Sequence, residues 1–296
     1  MKQAVIDIGS NSLRLMTAEK INGAYRCAPK ELCTTRLGTG VRETGRLDPY
    51  CRDKSLQVLK EWKGRLGACS VIAFATSAVR EALDGRDFVE RVRELTGWQV
   101  QVLSGEEEAR YGYIGAVGNT GAGLMVDIGG GSTEAAAGWD GAITWSCSYP
   151  LGAVRMALSE PILPERLGVL KQECLDILAE NTIPEMGNVR AVGVGGTITS
   201  AASILLGLRE YDTEKINGYE LTKERIAALA KRLAAMPEKE RRTVAGLQPE
   251  RSPIIVSGLL ILESVMERFG LDSICVSEQD GMEGILLAGT FLSAPD

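Results

Sequence analysis

The sequence predicts an α/β protein built from two related domains that flank a cleft. Three observations carry that prediction. Its 296 residues exceed one ordinary core and suit two domains of about 100–200 residues each. Short apolar runs of strand length alternate with longer helical stretches. A segment near the start, Ile6-Asp7-Ile8-Gly9-Ser10-Asn11-Ser12, returns in kind about 120 residues later as Val126-Asp127-Ile128-Gly129-Gly130-Gly131-Ser132. The Gly-rich break Gly118–Gly123 separates the halves, giving expected domains 1–118 and 119–296.

The elements follow in order. Strands are predicted at Ala4–Asp7 and Leu13–Ala18 around the turn Gly9–Ser12, with a third near Ala24–Ala28. Leu37–Arg46 is a Gly-rich loop, and Pro49–Leu66 fits a helix with Leu56, Leu59 and Trp62 on one face. A strand at Val71–Ala75, helices through Leu95, a strand at Gln99–Leu103 and a helix from Ser104 to about Val117 complete the half. The second half restarts with strands at Leu124–Asp127, Glu134–Trp139 and Ala142–Cys147. Helices are predicted at Val154–Ser159 and Pro164–Asn181. A strand at Val189–Val194 runs into the turn Gly195-Gly196-Thr197 and a helix to about Leu206. Helices are expected at Thr222–Ala235 and at Pro253–Phe269, the latter with Ser252 as N-cap and Pro253 in the first turn. A strand at Ser273–Val276 and a helix from about Asp280 end the chain.

Composition narrows the chemistry. There is no histidine, which excludes a Ser-His-Asp triad, a phosphohistidine intermediate and any His-ligated metal centre. Acid-base work falls to carboxylates, Lys, Tyr or Cys. The seven cysteines form no C-x-x-C pair, so scattered thiols are expected in place of a disulfide framework or zinc site. A net charge of −6 argues against a diffuse nucleic-acid-binding surface. No stretch has the length and apolarity of a membrane span, and the N-terminus reads as a strand and not a signal peptide, so a cytoplasmic protein is expected.

Two Asp-containing turns carry the strongest chemical signal. In Asp127–Thr133, three glycines allow close backbone approach and successive N–H groups can form an anion nest. Ser132 and Thr133 add hydroxyls, and Asp127 suits Mg²⁺, a cation that prefers oxygen ligands. A plain Gly-rich hairpin capped by a buried Asp is the alternative. The counterpart Asp7–Ser12 offers Ser10, Asn11 and Ser12 side chains. Two such turns facing each other can grip one phosphoryl group. In Ser104–Arg110, Ser104 and Glu107 form a capping box. Glu108 has no such duty and suits polarising a water for attack on phosphorus; an exposed acid favourable with the helix dipole is the competing reading. Arg80 suits bidentate phosphate binding or a surface ion pair. Arg14, Arg36, Arg110 and Arg155 are weaker candidates of the same kind. Gly193–Thr197 either presents a helix N-terminus to an anion or permits close strand-helix packing.

These segments resemble a known family. VIDIGSNSLRL (5–15), ATSAVREA (75–82), SGEEEARYGY (104–113), VDIGGGSTE (126–134), GVGGTITSA (193–201) and SEQDGMEGIL (277–286) occur in the order of the exopolyphosphatase / guanosine pentaphosphate phosphohydrolase (Ppx/GppA) family, in its short two-domain form. The resemblance implies two actin-like, ribonuclease H-like domains of the sugar kinase/ATPase superfamily. It implies hydrolysis of the terminal phosphate of inorganic polyphosphate, or of the 5′ phosphate of guanosine pentaphosphate (pppGpp), with Mg²⁺ or another divalent cation such as Mn²⁺. The catalytic glutamate, the one directly before Ala in its helix, lands on Glu108. Phosphate contacts carry over onto Asn11, Arg80, Gly129, Gly130 and Ser132, beside Ser10, Ser12, Gly131 and Thr133 from the turns themselves. Acidic metal-linked positions carry over onto Asp127 and Glu134. The expected partners are polyphosphate or pppGpp and, as an assembly, a second copy of the chain, with no nucleic acid and no membrane. An ATPase or kinase of the same fold and a non-catalytic polyphosphate- or nucleotide-sensing protein are the rival readings.

Overall fold

The computed structural model describes residues 2–118, 121–157, 162–185 and 189–289. The chain forms two compact units, one running to Glu108 and resuming at Ile285, the other spanning Ala109–Gly284. The first holds β1 (Lys2–Ile8), β2 (Ser12–Ile21), β3 (Ala24–Cys27), β4 (Glu31–Thr34), α1 (Val41–Thr44), α2 (Pro49–Leu66), β5 (Ser70–Ala75), α3 (Ser77–Glu81), α4 (Gly85–Thr96) and β6 (Val100–Val102). The division falls within α5 (Gly105–Ala116), directly after Glu108, and the Gly118 break lies in the turn that follows.

The first sheet has the order β3-β2-β1-β5-β6, with β4 also paired to β2. Only β2 runs against β1, while β5 and β6 follow it in parallel. That order, with the second strand reversed, is the ribonuclease H-like arrangement. Alternate residues of β1, Ala4, Ile6 and Ile8, enter a core shared with Leu59 and Trp62 of α2 and Phe88 and Val92 of α4. Helix α2 starts where sequence reading places it because Asp48 caps it, accepting the Cys51 N–H at 2.9 Å, with Pro49 at the first position.

The second unit repeats the plan with β7 (Ala122–Ile128), β8 (Thr133–Trp139), β9 (Ala142–Tyr149), α6 (Leu167–Ala179), β10 (Arg190–Val194), α7 (Gly196–Leu205), α8 (Thr213–Ile216), β11 (Glu220–Thr222), α9 (Lys223–Ala234), α10 (Glu238–Arg241), α11 (Ile255–Arg268) and β12 (Ser273–Val276), and its boundary falls within α12 (Gly281–Ala288), after Gly284. The sheet order is β11-β12-β10-β7-β8-β9. Its core gathers Leu259 and Leu262 of α11, Ile198 of α7 and Leu229 of α9 around Leu124, Val126 and Ile128. Glycines let α5 and α12 meet closely: a Cβ on Gly115 would lie 1.9 Å from the Asp280 carbonyl, and one on Gly284 1.8 Å from that of Tyr111.

Two local expectations are corrected. Ser252 is not a helix N-cap. A 3₁₀ turn, Pro249–Arg251, and the turn after it absorb this stretch, and α11 begins at Ile255; the Ser252 hydroxyl lies 3.4 Å from Glu238 Oε1. The stretch from Val154 forms a turn and not a helix, because its N–H groups bond to the Asp127 loop; Ser159 lies outside the described residues. Among the described residues no helix is long and apolar enough to cross a membrane.

Candidate functional site

The two Asp turns share one backbone geometry. In each, the first glycine donates to the last serine: Gly9 N–H to Ser12 O at 3.2 Å and Gly129 N–H to Ser132 O at 3.0 Å. In each, the carbonyls at the tip are captured by a later segment. Gly38 N–H donates to Ser10 O at 2.7 Å and Arg36 N–H to Asn11 O at 2.8 Å. Ala153 N–H donates to Gly129 O at 2.9 Å, and Val154 and Arg155 N–H donate to Gly130 O at 2.8 and 3.0 Å. All peptides among the described residues are trans, so a captured carbonyl turns the N–H of the same peptide to the opposite side. The N–H groups of Gly130, Gly131 and Ser132 meet no acceptor among the described residues. Three consecutive donors of this kind form an anion nest.

The turns differ in charge. In the first unit Asp7 is paired in register with Arg14, whose Nε donates to Asp7 Oδ2 at 2.8 Å. The corresponding register in the second unit pairs Asp127 with Glu134. Directly opposed like charges are unfavourable on a sheet, and Glu134 is 3% exposed. Glu134 also accepts the Ser148 hydroxyl at 2.7 Å. Two carboxylates in register supply oxygen ligands of the kind Mg²⁺ takes at nucleotide and phosphate sites. Among the described residues no group of three acidic or thiol side chains forms a closed metal cage.

The remaining candidates have defined places. Asn11 is buried, and its Nδ2 donates to the Ser12 hydroxyl at 3.0 Å. Ser10 Oγ accepts the Ala78 N–H at 3.2 Å. The Thr133 hydroxyl is fully buried and donates to Leu151 O at 2.7 Å, so it is held within the fold. Ser132 is buried beside its loop. Arg80, in the last turn of α3, donates to Leu103 O at 2.7 Å and is hydrogen-bonded to Glu108. Sequence reading selected Arg80 and Glu108 independently, and the fold brings them together. Glu107 caps α5: its Oε2 accepts Ser104 N–H at 2.8 Å while Ser104 Oγ accepts Glu107 N–H at 3.1 Å.

The Gly193–Thr197 turn is explained by close packing at each glycine. A Cβ on Gly193 would strike Ile198 and Ile274, one on Gly196 the Arg251 guanidinium, and one on Gly195 Asp127 Oδ1 at 2.5 Å. Gly195 also has φ +89°, which favours glycine. Backbone from this turn therefore lies against the Asp127 carboxylate. Sequence reading named Arg155 as a weaker phosphate candidate but missed two contributors, Ser148 and the backbone N–H groups of residues 153–155. Both act through contacts distant in sequence that no local pattern marks.

A family model described as the Ppx/GppA phosphatase family matches residues 4–290. Exopolyphosphatase 2 of Mycobacterium tuberculosis is 30% identical over 96% of this chain and 97% of its own length. A bifunctional 3-dehydroquinate synthase/phosphatase of Fusobacterium nucleatum is 30% identical over 97% of this chain, which spans 46% of that longer protein. Among solved structures, a Ppx/GppA family member from Aquifex aeolicus superposes with a TM-score of 0.80 at 32% identity, covering 98% of this chain and 97% of that one. An exopolyphosphatase from Cytophaga hutchinsonii superposes with a TM-score of 0.85 at 26% identity, covering 98% and 97%.

Proposed function

The chain belongs to the Ppx/GppA phosphatase family, and from that premise we propose that it is an exopolyphosphatase releasing terminal orthophosphate from inorganic polyphosphate. The observation that carries the reading is the Asp127 loop, where three oriented N–H donors stand on a strand end that also bears two carboxylates in register. A terminal phosphoryl group is a tetrahedral oxyanion, suited to oriented N–H donors, and its charge calls for a cation beside it.

The roles follow from the chemistry of each group. Gly130, Gly131 and Ser132 donate to the phosphoryl oxygens. Asp127 and Glu134 hold Mg²⁺ or Mn²⁺, which when bound neutralises charge on the phosphate chain. Glu108 accepts a proton from the attacking water, a task for which the chain has no histidine. Its hydrogen bond to Arg80 supports this role by fixing the carboxylate's direction. Arg80 and Asn11 serve the phosphate chain. Ser10 and Thr133 act by holding backbone.

The test is orthophosphate release from polyphosphates of defined length, with and without Mg²⁺, run beside pppGpp. Mg²⁺-dependent release from the chain end supports the reading. Release from pppGpp alone moves the substrate to the nucleotide, and release from neither removes the proposal.

A further inference from the structure

The three N–H donors of the Asp127 loop are aimed by the turn at residues 153–155. Each donor shares its peptide with the carbonyl one residue earlier. The Gly130 N–H is set by the Gly129 carbonyl, held by Ala153 N–H, and the Gly131 N–H by the Gly130 carbonyl, held by Val154 and Arg155 N–H. The Ser132 N–H is set by the Gly131 carbonyl, which accepts the Arg155 side-chain Nε at 2.5 Å. The clamp is itself anchored. The Thr133 hydroxyl donates to Leu151 O at 2.7 Å, and the buried Ser257 hydroxyl of α11 lies 2.7 Å from Ala153 O. Gly152 closes the fit: a Cβ there would lie 2.3 Å from Gly130 O. The sister turn at Asp7 has its tip carbonyls captured by backbone N–H groups of residues 35–38, so the side-chain donor is a feature of the second unit.

We propose that Arg155 is a positioning residue that sets the direction of the Ser132 N–H toward a bound tetrahedral oxyanion. The proposal rests on the function above only in taking a phosphoryl group as the occupant. Removal of an Arg that touched only the anion would lower affinity and leave the Ser132 amide unmoved in the phosphate-free protein. The clamp made by the Arg155 side chain acts on the Gly131–Ser132 peptide, and does so without phosphate.

The test is backbone amide NMR of the whole chain, as wild type, Arg155→Ala and Arg155→Lys, titrated with inorganic phosphate. In wild type the Gly130, Gly131 and Ser132 amides are expected to shift on titration. In Arg155→Ala the Ser132 amide is expected to move already without phosphate, and its phosphate response to fall by more than half. At saturating phosphate Gly130 and Gly131 keep theirs, while the half-saturating phosphate concentration rises about tenfold, as for one hydrogen bond to a charged group. Arg155→Lys, which keeps a donor on a long stem, restores part of the Ser132 response. An unmoved Ser132 amide in the phosphate-free variant overturns the clamp, and so does an equal loss of response at all three amides at saturating phosphate. If Arg155→Ala does not fold, Arg155→Met carries the same comparison. The phosphate-free Ser132 shift reports the clamp even if polyphosphate is not hydrolysed, whereas failed hydrolysis with that shift present counts against the proposed function alone.

Discussion

Asp127 and Glu134 stand directly opposite one another across β7 and β8, where the first unit places Asp7 opposite Arg14. The duplicated turn thus keeps one carboxylate and exchanges its cationic neighbour for a second acid. Glu134→Gln keeps the size and the acceptor for Ser148 but removes one charge. The Mg²⁺ concentration giving half-maximal phosphate release is expected to rise at least about tenfold, while the thermal midpoint in Mg²⁺-free buffer holds or rises. An unchanged Mg²⁺ requirement would detach Glu134 from the cation.

The α5–α12 crossing sets two opposing effects against each other. Ala in place of Gly inside a helix gains about 1 kcal/mol of intrinsic propensity. A Cβ on Gly284 would sit 1.8 Å from the Tyr111 carbonyl, and overpacking of that kind costs about 1–3 kcal/mol. Backbone cannot rotate away as a side chain can, so packing is expected to win. Urea unfolding of Gly284→Ala should show a net loss of stability, and a gain would mean that the helices separate readily.

Tyr113 makes the reverse case. Its ring is fully buried but its hydroxyl meets no hydrogen-bond partner among the described residues. Removing a buried, unsatisfied hydroxyl costs little and relieves desolvation. Tyr113→Phe is expected to unfold within about 0.5 kcal/mol of wild type or to be more stable. A loss above about 1 kcal/mol would reveal a partner for that oxygen.

Thiol reactivity should follow burial. Burial pushes the Cys51 thiol up to about 11, with Asp48 adding to the shift, and burial likewise raises Cys174 to about 11. Burial penalises the thiolate, the reactive form. Alkylation of the native protein at pH 8, read by peptide mass spectrometry, is expected to spare both while modifying the exposed Cys27. Early labelling of Cys51 would show that α2 opens locally.

The elements that sequence reading located best are those with local causes. The α2 span with its start at Pro49 and the Ser104–Glu107 capping box depend on residues within one turn of each other. The short strands β4 and β11 were missed because a few residues of mixed polarity gain their pairing from a neighbour far along the chain. The same reason hid the Arg80–Glu108 contact and the capture of the Gly129–Gly131 carbonyls by residues 153–155. Ser252-Pro253 carried a correct local signal for a helix start, but Pro249 one turn earlier opened a competing 3₁₀ turn. The charge exchange between Arg14 and Glu134 was visible as letters in the sequence, and the strand register gives it meaning.

The central claim is that Glu108 drives water attack on a terminal phosphate, and orthophosphate release by Glu108→Gln from polyphosphate of defined length with Mg²⁺ tests it most directly. The amide keeps the side chain's shape and loses its capacity to accept a proton. Turnover is expected to fall by about 10²–10⁴-fold, with the thermal midpoint and the phosphate-induced shifts of the Gly130–Ser132 amides retained. Turnover equal to wild type would contradict the account.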